Sequence, residues 1–241
     1  MRLDQYLTTE KGISRSRAQL LIADGAVTIN GVVSRKPNKS VQINDVVIVE
    51  DTIKYVSRAG LKLERALDVF AINPTGWECL DAGSSTGGFT DCLLQRGATH
   101  VDAVDVGTDQ LVETLRNDTR VTAYEQTDIR IFATQPERTA HYDLVVSDLS
   151  FISLIHVLPA LVTTMKTGAH ATLLIKPQFE VGRDFLDKKG IVTDQNRADE
   201  AIVDVVNEAR ARGLKLQGDI ILSPIKGGDG NTEYLAHFIK S

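Results

Sequence analysis

Cysteine is nearly absent: Cys79 and Cys92 are the only two in 241 residues, too few and too close in sequence for a disulfide framework or a zinc site. A reducing cytoplasm is the expected compartment, with no metal. Proline is scarce as well, at 6 residues, and neither an internal repeat nor a low-complexity tract is present. With 42% hydrophobic and 24% charged side chains, disorder and collagen-like order are both excluded. Charge of one sign is also lacking, since 27 Lys+Arg against 32 Asp+Glu leave a formal charge of -5. That argues against a sleeve held on nucleic acid by charge alone. The opening Met1-Arg2-Leu3-Asp4-Gln5 lacks the apolar core of a secretory signal. The best candidate for a membrane span, Leu144 to Val162, is interrupted by Asp148, His156 and Pro159, and reads better as strand, turn and helix. A soluble protein with no membrane partner is expected.

What is present suffices for one large domain or two smaller ones with cores of their own. The charge is unevenly spread. Residues 1–56 carry 8 basic and 6 acidic side chains, net +2, whereas the remainder carries 19 and 26, net -7. A polyanion should prefer the N-terminal end.

That end reads as a small α+β module. Residues 14–24 start at Ser14, a suitable N-cap, put Ala18, Leu21 and Ile22 on one helical face, and stop at Gly25. Val27-Thr28-Ile29, the pair Asn30-Gly31 and Val32-Val33 form a hairpin pattern with a type I′ turn, and Val46 to Val49 fits a further strand. Arg15 and Arg17 project away from the apolar stripe, with Lys11, Arg35, Lys36 and Lys39 close in sequence, so a basic outer surface can form. The order RLDQYL, SRSRAQLLIADGAVTING, NDVVIV resembles an S4-type RNA-binding domain. The resemblance implies that the helical face bearing Arg15 and Arg17 docks on structured RNA through shape and phosphate contacts, with Arg2, Lys11 and Lys36 as further candidates. Residues 1–52 are assigned to this domain and 53–60 to a linker.

Beyond residue 56 apolar runs alternate with helical segments, the signature of an α/β domain with a mainly parallel sheet, to which residues 61–241 are assigned. Strands are expected near 77–81, 101–105, 121–124, 142–147, 171–176, 216–222 and 233–239. The clearest helix is 195–212, with Asp194 before it, Ala198, Ala201, Ile202, Val205 and Ala209 on one face and Gly213 after it. The last of seven strands follows a short Gly-rich connection, Ser223 to Thr232, so it enters the sheet antiparallel. This arrangement resembles the methyltransferase variant of the Rossmann fold.

The strongest single motif runs from Trp77 through Asp81-Ala82-Gly83-Ser84-Ser85-Thr86-Gly87-Gly88-Phe89-Thr90, a strand entering a glycine-rich turn and then a helix. It is neither G-x-G-x-x-G nor a P-loop, so phosphate is not the obvious guest. An acid at the end of the first strand, Asp81, suits a ligand with an ammonium group, such as the methionine part of S-adenosylmethionine. Asp105, beside Val106 at the end of the second strand, can accept from both ribose hydroxyls. Asp128, after the third strand, can accept from an adenine amine. The alternatives are that the glycines only permit a tight turn while the aspartates cap helices, and that Asp128 stabilises its own loop. Asp148 follows one apolar strand, Lys176 ends another, and Glu233 begins the final reversed one, so all three reach the sheet edge where such folds place ligands. Lys62 lies on a helix before the first strand, able to lean over the cleft; taken singly, each of the four reads more readily as an ordinary salt-bridge residue.

Together SRAGLKL, LDAGSSTGGFTD, DVGTDQL, SDLSFISL, LIKPQFE and NTEYLAHF resemble the TlyA-type ribosomal RNA 2′-O-methyltransferase family, related to FtsJ-like enzymes and often labelled haemolysins. The resemblance implies a Lys-Asp-Lys-Glu tetrad of Lys62, Asp148, Lys176 and Glu233. It implies a donor, S-adenosylmethionine, held by Asp81, the Gly83–Phe89 turn, Asp105, Val106 and Asp128. Relatives commonly have asparagine where this chain has Asp128. The expected reaction is methylation of a cytidine ribose 2′-hydroxyl in ribosomal RNA or ribosomal subunits, with no stable protein partner. Lys176 would orient the hydroxyl and accept its proton or, if the neighbouring carboxylates keep it charged, act only as an electrostatic guide while the proton leaves to solvent. The rivals are a base-directed methyltransferase, which would want prolines in the segment that here reads Asp148-Leu149-Ser150-Phe151, and an RNA-binding protein with an inactive α/β domain. Pore formation has no support in a clean apolar span or a long amphipathic helix.

Overall fold

The computed structural model describes residues 1–50, 54–227 and 230–241, without the side chains of Ser16, Leu20 and Asp24. The chain divides into two compact units, 1–57 and 58–241. The expected boundary at residues 52/53 lies outside the described residues.

In the first unit, α1 (Leu3–Lys11) and α2 (Arg15–Asp24) pack on a three-stranded antiparallel sheet of β1 (Val27–Ile29), β2 (Val32–Val33) and β3 (Val47–Val49), in the order β2-β1-β3. Local chemistry sets these limits. The Ser14 hydroxyl accepts from the Arg17 N–H at 3.3 Å, and Gly25 leaves α2 at φ 82°. Asn30 and Gly31 both take positive φ, the requirement of a type I′ turn, and the hairpin closes with Ile29 opposite Val32. Leu3, Leu7, Ala18, Leu21, Ile22, Val27 and Val47 form its core.

The second unit is a mixed α/β layer structure. Its elements in order are α3 (Ala59–Val69), β4 (Glu78–Ala82), α4 (Gly88–Gln95), β5 (His100–Val104), α5 (Glu113–Arg116), β6 (Val121–Tyr124), α6 (Ile129–Phe132), β7 (Tyr142–Ser147), α7 (Leu154–Thr164), β8 (Met165–Ile175), α8 (Pro177–Glu180), α9 (Gln195–Ala211), β9 (Leu214–Leu216), β10 (Ile221–Leu222) and β11 (Tyr234–Lys240). The sheet runs β10-β11-β8-β7-β4-β5-β6, and β9 pairs with β11 as well. Strands β4 to β8 are mutually parallel, whereas β11 lies antiparallel against β8 with Tyr234 opposite Ile175. This is a methyltransferase-like sheet, with the last strand inserted between the unit's fifth strand in chain order, β8, and the pair β9 and β10.

Two strand expectations need correction. The segment expected as one strand at 216–222 is two short strands, interrupted where Gly218 takes φ 64°, so among the described residues the sheet has eight strands in seven positions. Strand β8 begins at Met165, six residues earlier than its apolar run, where Met165 pairs with Tyr142 of β7 before a register shift and the ladder from His170 onward. Helix α9 follows its capping chemistry: Asp194 accepts from the Asn196 and Arg197 N–H groups, and Ala198, Ala201, Ile202, Val205, Val206 and Ala209 are buried. Fully burying a side chain such as Val205 contributes roughly 1.5 kcal/mol or more. The candidate membrane span proves to be β7, a loop and α7.

Candidate functional site

In a parallel sheet every strand ends on the same side, so the loops after β4, β5, β7 and β8 share one rim, and the reversed β11 starts there. A cavity of about 520 Å³ opens at this rim, within the range usual for small-molecule sites. Gly83, Ser85, Asp105, Asp128, Asp148 and Phe151 are among its lining residues.

The turn after β4 needs glycine for two separate reasons. Gly83 takes φ 88°, and a Cβ there would stand 2.8 Å from the Asp148 carbonyl oxygen. Gly87 takes φ 97°, where a Cβ would run into Leu115 and Leu111. Gly83 and Ser85 face the cavity, while Ser84, Gly88 and Phe89 are buried in packing and Thr86 continues the turn.

Asp105 caps no helix. Its carboxylate accepts from the Ser85 N–H at 2.8 Å and the Gly107 N–H at 2.7 Å, joining the two loops and leaving each oxygen a second lone pair toward the cavity. Val106 beside it is 71% exposed and lines the same space. Asp128 does what the turn-stabilising alternative describes: it caps α6 through the Arg130 N–H at 2.8 Å and pairs with the Arg130 guanidinium, which holds its carboxyl below the usual range. It nonetheless borders the cavity.

Asp81 is fully buried at the end of β4 and does not itself line the cavity. Thr90 donates to its Oδ2 at 2.7 Å, and Oδ1 has no partner among the described residues. Burial pushes this carboxyl up to about 7 against the pull of the Thr90 hydrogen bond, with Asp148 and Asp105 adding repulsion.

Lys62, Asp148, Lys176 and Glu233, which come from four separate segments, meet in one cluster. The Lys176 ammonium lies 2.6 Å from Asp148 Oδ1. Lys62 lies 3.5 Å from Asp148 Oδ2 and 2.6 Å from Glu233 Oε2. The side chains of Lys62, Lys176 and Glu233 are 9%, 8% and 3% exposed. Two ammoniums and two carboxylates cancel, which is how four ionised groups tolerate this burial. Lys176 also donates to Ser150 Oγ at 2.8 Å, and Phe179 places its ring 5.8 Å away.

Several neighbours escaped the sequence reading. Ser150 carries no local signal, because its partner Lys176 stands 26 positions on, after another strand, while Thr90 and Phe179 lie inside the motifs LDAGSSTGGFTD and LIKPQFE without being singled out. Phe151 is 91% exposed at φ 64°, unusual for a bulky residue, and packs against Phe179 with ring centres 5.3 Å apart. Glu125 accepts from the Asp109, Gln110 and Leu111 N–H groups and fixes the loop after β5.

The basic candidates of the first unit differ from one another. Lys11, Arg15 and Lys36 are exposed. Arg2 grips the buried Asp4 with hydrogen bonds of 2.9 and 2.7 Å. Arg17 departs from the outward projection expected of it: it is half-buried and donates to the Tyr55 carbonyl at 3.0 Å. Helical periodicity gives the face of a long side chain, but not the acceptor that its head reaches.

Comparison with known proteins shows the same two-part organisation. Residues 1–47 match the S4 domain, and residues 55–240 match the FtsJ-like methyltransferase family. The 16S/23S rRNA (cytidine-2′-O)-methyltransferase TlyA of Mycobacterium tuberculosis is 44% identical over 97% of this chain and 87% of its own length. The chain belongs to the TlyA-type family, with an S4 domain followed by an FtsJ-like methyltransferase domain. Another relative, Hemolysin A of Brachyspira hyodysenteriae, is 42% identical over 99% of this chain and all of its own length. A solved structure of a candidate hemolysin from Streptococcus thermophilus has 38% identity and a TM-score of 0.78, covering all of this chain and 88% of that one. Despite those names, no helix among the described residues of this TlyA-type chain is long and apolar enough to cross a membrane.

Proposed function

We propose that this chain methylates the ribose 2′-hydroxyl of a cytidine in ribosomal RNA, using S-adenosylmethionine, on a Rossmann-like domain aided by the S4 domain. The observation that carries this reading is the cluster of Lys62, Asp148, Lys176 and Glu233 beside a cavity whose residues suit the donor. The activity named for the tuberculosis relative agrees with it.

The residues present fit that donor. Asp81 offers the orphaned, buried Oδ1 to an ammonium, and Asp105 offers its remaining lone pairs to ribose hydroxyls. The Gly83 turn brings backbone to the wall, Val106 adds apolar contact, and Asp128 marks the adenine end with its carboxylate held by Arg130. When bound, S-adenosylmethionine supplies a methyl group already activated by positive sulfur, so positioning dominates what the protein must add.

Lys176 supplies it. Asp148 and Ser150 engage two of its N–H directions and leave the third for a substrate hydroxyl. Lys62 and Glu233 hold Asp148 from the far side. Lys176 is thereby placed to orient that hydroxyl and to take its proton as the methyl passes from sulfur to oxygen. The exposed Phe151 offers a stacking face for the target base.

The test uses labelled donor and unmodified ribosomal subunits. A methyl on ribose makes the adjoining phosphodiester resistant to alkali, and Lys176→Ala is expected to abolish transfer while donor affinity stays within threefold. Label on a base would overturn the ribose assignment, and wild-type transfer by Lys176→Ala would overturn the role of this lysine.

A further inference from the structure

The loop after β7 and the segment after β8 lie side by side and are linked at successive points. Asp148 and Ser150 both bind Lys176, and Phe151 packs on Phe179. The next link lies beyond the catalytic cluster. Glu180, at the end of α8, accepts from the Ser153 hydroxyl through Oε2 at 2.5 Å and from the Leu154 N–H through Oε1 at 2.8 Å. Ser153 in turn caps α7 by accepting from the Ile155 N–H. Both oxygens of one carboxylate are therefore spent on the start of α7. An anion is favoured there by the unpaired N–H groups and the helix dipole. Burial raises the Glu180 carboxyl above its ordinary range, so this group is kept in place at some cost.

We propose that Glu180 is a positioning residue for methyl transfer, a clasp that holds the Asp148-bearing loop in register with Lys176. Three residues separate Glu180 from Lys176, and four separate Ser153 from Asp148. The clasp thus closes a short loop of chain on each side and fixes the distance between the two reacting-site charges. Misplacement by about 1 Å at such a site can lower the rate by about a hundredfold. The inference rests on the methyl-transfer reading above.

Full-length Glu180→Ala, Glu180→Gln and Ser153→Ala test it by kcat, by KM for ribosomal subunits, and by calorimetric donor affinity. Glu180→Ala should lower kcat at least tenfold with donor affinity held within threefold. Ser153→Ala, which removes one of the two bonds, should fall between it and wild type. Glu180→Gln, which keeps an acceptor for the Leu154 N–H, should recover most of the rate. A folded Glu180→Ala protein with kcat within twofold of wild type overturns the proposal. So does a loss confined to donor affinity and relieved at saturating donor, the behaviour of a purely structural contact. Should Glu180→Ala fail to fold, wild-type kcat in both of the other variants overturns it equally. Inactive Lys176→Ala beside fully active Glu180→Ala would remove the clasp alone, whereas active Lys176→Ala would remove the methyl-transfer reading itself.

Discussion

Replacing Asp81 with asparagine should stabilise the ligand-free protein in a way that depends on pH, while weakening its hold on the donor. The Asp81 carboxyl stands at about 7 in the folded protein against an ordinary value of 3.8, because burial opposes its ionised form. That gap of roughly three units corresponds to roughly 4 kcal/mol of differential interaction. Its sign is fixed by linkage. Below the ordinary value both folded and unfolded chains carry the proton, and nothing is lost. As pH rises, the unfolded chain ionises first, so the folded state loses stability until its own carboxyl ionises near 7, and the cost is constant above that.

Asparagine keeps an acceptor for the Thr90 hydroxyl and cannot ionise. Its advantage over wild type should be larger at pH 8 than at pH 5 by roughly 2.5 kcal/mol, or about 5 °C or more in Tm for a unit of this size. His237, pushed down to about 4 by burial beside His170, gives the opposite slope, with stability lost as pH falls below the usual histidine range. That slope is common to both proteins and cancels in their difference. The donor should show the complementary pattern in calorimetry: wild-type affinity falls about tenfold per unit below pH 7 as Asp81 takes up its proton, and the variant binds weakly with no such limb. Equal Tm changes in the two proteins between pH 5 and pH 8 would falsify the assignment of this titration to Asp81.

Arg15→Ala should weaken RNA binding by the first unit and reduce the magnitude of its salt slope by about one; an unchanged slope, measured by titration at several salt concentrations, would place the RNA surface elsewhere. In the cluster of two lysines and two carboxylates, Lys62→Met alone leaves Glu233 buried without its partner and should destabilise by about 3–5 kcal/mol, whereas Lys62→Met with Glu233→Gln restores neutrality and should unfold at a higher denaturant midpoint than either single variant. A double variant less stable than both singles would show that the pair is not held together by charge balance.

Much of this arrangement is legible from sequence where one stretch of chain carries its own instructions. Helix α9 has a capping aspartate, an apolar stripe and a terminal glycine, and it folds where they say. Asp148 and Lys176 sit at the ends of apolar runs and Glu233 at the start of the last one, so strand direction alone brings them to one rim, while Lys62 is placed by family resemblance. What is not legible depends on neighbours across the sheet. The break between β9 and β10 goes with how each pairs with β11, and the early start of β8 with the pairing of Met165 to Tyr142 of β7, neither of which an apolar pattern encodes. The same holds for side chains: Arg17 reaches a carbonyl 38 residues away and Glu180 reaches a helix start 26 residues away. A charged residue's function in this fold is therefore decided by which strand ends are adjacent. Local sequence decides other cases: Asp128 and Asp105 both follow parallel strands, yet one is consumed by its own Arg130 and the other joins two loops. That difference follows from the arginine two residues after Asp128, for which Asp105 has no counterpart, since Gly107 stands in the same place.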